Sequence, residues 1–600
     1  MKNTFKNLLK ILSSREKRFA FLLFIPIVLS GIVNAFGVAF LLPFIAIISK
    51  PDVIHKSKVL LALYQYGHFN SYHSFLIFLG VTVFIILVAG NTISGLTLSA
   101  ILKFTNQCGE GISNRLFQRY LLQPYSFYLQ RNSSELNKNI LSMVDTVVRT
   151  ALRQGFEMLM YSVSALFILL MLLAINYQIT LILGAIFGGA YVLIYKYVKK
   201  WLAKADITLT DSQRQLYKMT SEAFGSIKYT LIRNCQKFLQ SEFKPHSKSL
   251  YHSTAISQII AQSPKFLLEI IAFGGMVLVI TFMLIKNYNF NNILPLLAVF
   301  AFAGYRLLPS VQQIFGCYTS IQAHQSALND LAQELTLPIS SQHQHSGLAC
   351  QLSFRKEIVL EEVFFQYSQN SKMALNNINL CIPYGNSVAF VGKTGSGKTT
   401  LVDLLMGLLS PTMGNILIDS TPLCTQNLLA WQAKIGYVPQ HIFLTDHSIA
   451  HNIAFGSKTD DIDLTKVKTA AQIACLDDFI TSELPDQYNT IIGEKGGRLS
   501  GGQIQRIGIA RALYHDPDII VLDEATSALD PTTEASVIHN ICSLHKTLII
   551  IAHKANTIKH CNKIFILDQG RIIDEGSYDQ LSEQSPHFQF LTLSDNAETL

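Results

Sequence analysis

The 600 residues read as a membrane α-helical domain of six spans followed by a soluble α/β domain organised around a phosphate-binding loop. Three observations carry that reading. Residues 19–316 contain six apolar runs, each long enough to cross a bilayer. Gly392-Lys393-Thr394-Gly395-Ser396-Gly397-Lys398-Thr399 lies between an apolar strand pattern and a helical one. Roughly 100 residues later, Leu499-Ser500-Gly501-Gly502-Gln503 opens a second helix.

The bulk numbers agree. The chain exceeds what one hydrophobic core organises, so at least two domains are expected. Its 49% hydrophobic and 15% charged residues are an average over two unlike halves. The net charge of +8 is modest, and its placement matters more. Lys2, Lys6, Lys10, Arg15, Lys17 and Arg18 precede the first apolar run, which predicts a cytoplasmic N-terminus. That run is too long for a cleaved leader, and no small-residue cleavage site follows it. Nine cysteines are scattered without a C-x-x-C pair, so neither disulfides nor zinc is expected.

The spans fall near 19–48, 73–101, 156–175, 178–198, 264–285 and 291–316. Pro26 and Pro43 predict kinks in the first, since membrane helices tolerate proline. Between the first two spans, Ser57–Phe69 fits either a short surface helix or an ordinary connection. The long segments after spans two and four are rich in Lys and Arg, which places them inside with the C-terminal domain. Ionisable residues within spans are costly and mark function. Lys265 and Glu269 lie in span five and Arg306 in span six. At 1.5 Å per residue, Glu269 and Arg306 both sit about 21–24 Å below the outer ends of their spans. Two readings follow from the shared depth. One is a structural ion pair. The other is a cavity in which Arg306, with Lys265 nearby, meets an anionic substrate group through its two-pronged guanidinium.

In the soluble half, Val388–Val391 is a buried strand feeding the loop, and Thr400–Leu409 is the helix after it. Gly392, Lys393, Thr394, Gly395, Ser396, Gly397 and Thr400 would cradle phosphates with backbone N–H groups at a helix N-terminus. Lys398 is placed to bridge the β- and γ-phosphates of ATP, and Thr399 to bind Mg²⁺. A second apolar strand, Ile519–Leu522, ends in Asp523 and Glu524. Asp523 suits Mg²⁺, and Glu524 suits the general base that polarises water. His553 ends a third strand and would reach the γ-phosphate. Gln440, in Gly436-Tyr-Val-Pro-Gln440, is a neutral ligand for Mg²⁺ and the γ-phosphate. Tyr367 precedes the loop by about 25 residues and can stack on adenine. Ser500, Gly501, Gly502 and Gln503 offer a hydroxyl and amides at a helix start, a second anion site. One domain cannot bring both anion sites to one γ-phosphate, whereas two domains head to tail can. Ser527–Asp530 would lie at the same seam.

These motifs resemble the nucleotide-binding cassette of ATP-binding cassette (ABC) transporters, from Tyr367 to about Gly576. That likeness implies a RecA-like core with a helical subdomain. Six spans followed by one cassette resembles the type IV exporter half-transporter. It implies a basic segment at 1–18, a membrane domain at 19–325 with two coupling loops, a linker at 326–352, a cassette at 353–585 and a tail at 586–600. Coupling helices are implied near Ser126–Ser134 and Phe224–Leu231. Asn176-Tyr-Gln-Ile-Thr-Leu181 and Tyr305-Arg-Leu-Leu-Pro-Ser310 are similar to PglK-type lipid-linked oligosaccharide flippases, although Gln313 stands where that pattern carries a further Arg. The family implies an ATPase with ATP and Mg²⁺ as cofactors, acting as a homodimer in the inner membrane. The expected activity is flipping or export of an amphipathic, lipid-linked substrate. A multidrug or glycolipid exporter and an ATP-switched channel or sensor are the alternatives. Six spans exclude a soluble nucleic-acid-handling cassette protein.

Overall fold

The computed structural model describes residues 2–49, 54, 58–69, 71–274, 277, 281, 290–338, 352–368, 372–493, 499–552 and 555–589. The chain divides into two compact units, Met1–Leu121 with Arg131–Pro338, and Leu122–Gln130 with Ile339–Leu600.

The first unit is helical. Among the described residues, Ser14–Ile48, Tyr72–Leu121 and Ser133–Ile175 are long and apolar enough to cross a membrane. The fourth and sixth expected spans lie within the helices Tyr177–Gly225 and Phe290–Gln322. The fifth lies partly outside the described residues, beyond the helix Gln236–Glu269. The first span is helical over Ser14–Leu22, Phe24–Ala39 and Leu41–Ser49, with joints at Leu23 and Phe40. Each joint lies three residues before a proline, Pro26 or Pro43, where the ring displaces the preceding turn. Both joints keep right-handed helical dihedrals, so the chain stays helical through both proline sites. The segment between the first two spans forms the helix Lys58–Tyr66. Tyr64 meets Phe75 edge-on at 5.2 Å. Small apolar clusters rather than one large core hold the bundle, for example Val38 with Ile168, Leu172, Val299 and Ala303. Many large apolar side chains stay exposed, including Phe84 and Leu96 on the second long helix. That pattern suits a lipid solvent, in which apolar surface carries no penalty.

Two short helices interrupt the long ones, Tyr125–Leu129 and Ile227–Ile232. They overlap the segments where coupling helices are implied. The first belongs to the second compact unit.

The second unit contains two sheets. Strands β1 (Glu357–Phe365), β2 (Leu375–Pro383), β4 (Met413–Ile418) and β5 (Thr421–Pro422) form an antiparallel sheet in the order β2-β1-β4-β5. Strands β3 (Ser387–Val391), β6 (Ile435–Val438), β7 (Ile519–Asp523), β8 (Thr547–Ile551), β9 (Lys563–Asp568) and β10 (Arg571–Gly576) form the other. Its order is β10-β9-β3-β8-β7-β6, parallel except for β10. Strands β3, β7 and β8 are buried at every residue, as expected for parallel strands covered on both faces. A helical portion, including Ile449–Ile453, Leu464–Ile473 and Asp477–Glu483, packs against the helix Gly501–Leu513.

Candidate functional site

Three neighbouring parallel strands, β3, β8 and β7, deliver their carboxyl ends to one edge of the larger sheet, the usual place for a ligand in such a sheet. The loop after β3 turns on glycine. Gly392 has φ +152° and Gly397 φ +107°. A Cβ at Gly392 would stand 2.1 Å from the carbonyl oxygen of Leu567, and one at Gly397 2.9 Å from that of Ala374. Only glycine fits either place. The helix Lys398–Leu405 then starts directly behind the loop. Lys398 Nζ donates to the carbonyl oxygens of Gly392 (2.7 Å) and Lys393 (3.0 Å), so it lies folded over the loop. Burial lowers its pKa, against the opposing pull of Glu524 and Asp523. Ser396 Oγ is buried with no hydrogen-bond partner. An unsatisfied buried hydroxyl is costly unless a ligand oxygen meets it, which fits a phosphate-bearing molecule. Thr394, Gly395 and Thr399 are exposed around it.

Asp523 ends β7, and burial followed by the Glu524 charge raises its pKa. Tyr437 donates to Asp523 Oδ2 at 3.4 Å. Glu524 sits at φ +51°, a left-handed turn that bends the chain off the strand end. Its N–H donates to the Ile551 carbonyl on β8, which fixes the turn. Gln440, just after β6, donates from Nε2 to Glu524 Oε2 at 2.6 Å. The structure therefore brings Lys398, Asp523, Glu524 and Gln440 to one locality. His553 lies outside the described residues. Tyr367 is half-exposed, meets Phe365 edge-on at 5.0 Å and shares a 2.8 Å hydrogen bond with the Thr400 hydroxyl. Asp523, Thr399 and Gln440 supply hard oxygen donors of the kind Mg²⁺ takes. Among the described residues there is no group of three or more acidic, His or Cys side chains that could hold a metal ion.

Ser500 caps the helix Gly501–Leu513. Its hydroxyl accepts from Gln503 N–H, and Gln503 Oε1 accepts from Ser500 N–H at 2.8 Å. This capping box leaves the exposed Gly501 and half-exposed Gly502 at the helix tip. Gln505 ties the same helix to the turn after β7. It donates to Ser527 Oγ (3.1 Å) and accepts from Ala528 N–H (2.9 Å).

Four participants were missed in the sequence. Asp403 is buried behind the loop, and burial followed by the Asp523 charge pushes its carboxyl up to about 6. Tyr437 and Gln505 lie beside recognised motifs but carry no motif signal themselves. Tyr125, on the first short helix, has its hydroxyl pKa raised by burial and then by Asp403, Tyr367 and Asp523. In the membrane unit, Arg306 Nη1 donates to Asn34 Oδ1 (2.9 Å) and Asn91 Oδ1 (3.3 Å). The hydrogen bonds of Arg306 among the described residues are to these two neutral amides. The Lys265 side chain lies outside the described residues.

A nucleotide-cradling cassette joined to a bundle of membrane-length helices defines an ATP-driven membrane transporter. Residues 375–527 match the model of the ABC transporter family. The chain is 31% identical over 487 residues to an ATP-dependent lipid A-core flippase of Saccharophagus degradans, covering 79% of each protein. It is 30% identical over 480 residues to the flippase of that name in Legionella pneumophila, again covering 79% of each. The heterocyst differentiation ATP-binding protein HepA of Nostoc is 29% identical over 479 residues, 79% of this chain and 77% of that one. The solved structure of a bacterial Atm1-family ABC exporter with ATP bound superposes with a TM-score of 0.79 at 21% identity, covering 96% and 98% of the two chains. The chain belongs to the ABC exporter half-transporters: a multi-pass membrane ATPase whose turnover is coupled to transport.

Proposed function

We propose that two copies of this chain bind two ATP molecules head to tail between their cassettes and move an amphipathic, lipid-linked substrate out of the cytoplasmic leaflet of the inner membrane. Both termini face the cytoplasm. Lys398 and the loop amides hold the phosphates of ATP. Thr399, Asp523 and Gln440 would hold Mg²⁺, which when bound neutralises charge on the phosphates. Glu524 is the general base for the attacking water, and Gln440 orients it through its hydrogen bond to Oε2. His553 would reach the γ-phosphate. The Ser500–Gly502 helix tip of the second copy completes the site, so ATP favours the closed pair by its differential affinity for that state. Tyr367 stacks on the adenine.

The observation that carries the substrate reading is Arg306. A guanidinium within a membrane helix is expensive, and here its hydrogen bonds are to two neutral amides. Its charge is therefore available to an anionic headgroup, with Glu269 and Lys265 on span five as further lining. The relatives named lipid A-core flippases support a lipid-linked substrate. The narrower likeness to oligosaccharide flippases rests on short membrane strings, and Gln313 weakens it.

The test is ATPase stimulation in proteoliposomes by lipid A-core glycolipid, a lipid-linked oligosaccharide and a hydrophobic cationic drug. We expect the glycolipid to stimulate, and Arg306→Ala to raise its half-maximal concentration roughly tenfold, as for a lost charge-assisted hydrogen bond. Stimulation by the drug alone, unchanged in Arg306→Ala, would make this a broad-range exporter.

A further inference from the structure

The backbone passes between the two compact units at three places, after Leu121, after Gln130 and after Pro338. The residues beside these passages meet at one carboxylate within the membrane unit. Tyr120, one residue before the first passage, donates its hydroxyl to Glu334 Oε2 at 3.0 Å. Arg131, the first residue after the second passage, donates from Nη1 to Glu334 Oε1 at 2.7 Å. Glu334 itself lies four residues before the third passage. Asn139 then donates to the Tyr120 hydroxyl at 3.1 Å, which adds the start of the third long helix to the knot. Tyr120 and Asn139 are buried, and the Glu334 side chain is only 13% exposed.

The placement of Glu334 runs against local helix energetics. It is the last residue of the helix Gln325–Glu334, where the macrodipole disfavours negative charge. Helix stability alone would select a basic or neutral residue there. The Arg131 guanidinium and the Tyr120 hydroxyl offset that cost, so the position follows from what Glu334 joins. The helix is also set apart from the preceding span. Residues Ala323 and His324 break it from Phe290–Gln322, and His324 leaves helical geometry with φ −133° and ψ 27°. Past the break, the short helix is held sideways. Asn7 donates to Asn329 at 2.8 Å, and the Thr210 and Ser326 hydroxyls lie 2.9 Å apart.

We propose that Glu334 is a positioning residue through which movement of the cassette is passed to the span helices. A half-buried, charge-assisted knot at all three chain passages makes them move as one body, so that displacement of one is not absorbed by the others.

The experiment uses the full-length protein in lipid nanodiscs, with hydrogen exchange measured before and after trapping with ATP and vanadate. In the wild type, trapping is expected to change exchange in the cassette and in the helices Tyr72–Leu121 and Arg153–Ile175. For Glu334→Ala we expect ATPase activity within about twofold of wild type and a normal cassette change, with the span-helix change reduced at least threefold, in keeping with the coupling energies single residues carry. Arg131→Ala should give the same split, and the exchange Arg131→Glu with Glu334→Arg should restore much of it. Glu334→Gln keeps the side-chain shape and guards against a folding failure; it should show a smaller split of the same kind. Wild-type transmission in Glu334→Ala and Glu334→Gln would overturn the proposal. So would a proportional fall of ATPase and of both exchange changes, because that is the signature of a merely structural contact.

Discussion

Asp403 makes a prediction that depends on pH with a definite sign. In the folded cassette its carboxyl is pushed up to about 6, first by burial and then by the neighbouring Asp523. An unfolded aspartate ionises near 4. Below about pH 4 both states are protonated and the group costs nothing. As pH rises from about 4 to 6 the unfolded chain gives up this proton more readily, so stability falls, and the full penalty persists above 6. Asp403→Asn removes the penalty. We expect the nucleotide-free variant to melt a few degrees above wild type at pH 8 and with wild type at pH 4, read by thermal unfolding. An Asn variant less stable than wild type at pH 8 would remove this account of the site. Asp403 was not legible because its environment is made by β7, more than 100 residues away in sequence. Lys398, Asp523 and Glu524 were legible because loop geometry restricts which residues can stand there. Arg306 was legible as an anomaly, but its partners were not. They lie 272 and 215 residues distant, and matching depth alone suggested Glu269 instead.

Elements repeat this contrast between local and distant causes. The Ser500–Gln503 capping box is a four-residue signal and is formed as the pattern S-x-x-Q requires. The joints at Leu23 and Phe40, each three residues before a proline, follow equally from local sterics. The break at His324, by contrast, has no glycine or proline to announce it, and the packing of the Gln325–Glu334 helix against the N-terminal helix through Asn7 is a long-range fact. The contact between β6 and the helix Gly501–Leu513 is another. A Cβ at Gly436 would stand 2.4 Å from the Ala512 carbonyl oxygen and 2.8 Å from Pro517 Cγ. Gly436→Ala should therefore push β6 off that helix and cost about 1–3 kcal/mol, as overpacking does. Because β6 leads to Gln440, ATPase activity should fall along with stability. Chemical denaturation and phosphate release measured on the same preparation check both. Unchanged values for both would mean that the strand and helix have slack the geometry does not reveal.

At the scale of the whole molecule, the proposed ATP sites are composite, each shared by two copies. The cassette fold, its motifs and the run of membrane-length helices were readable from periodicity and glycine placement. The proposed pairing of two copies would give the Ser500–Gly502 helix tip a phosphate to meet, while Gln505, further along the same helix, is tied to Ser527 and Ala528 of its own chain. Complementation tests this most directly. Lys398→Ala disables the loop of a copy and leaves its Ser500 tip intact. Ser500→Arg does the reverse. Each variant reconstituted alone should hydrolyse almost no ATP. Co-reconstituted in equal amounts, half of the pairs are mixed and each mixed pair holds one intact composite site. Recovery up to about a quarter of the wild-type rate is therefore predicted for a two-fold symmetric pair. A mixture no more active than its components, or a Ser500→Arg protein fully active on its own, would contradict the shared site.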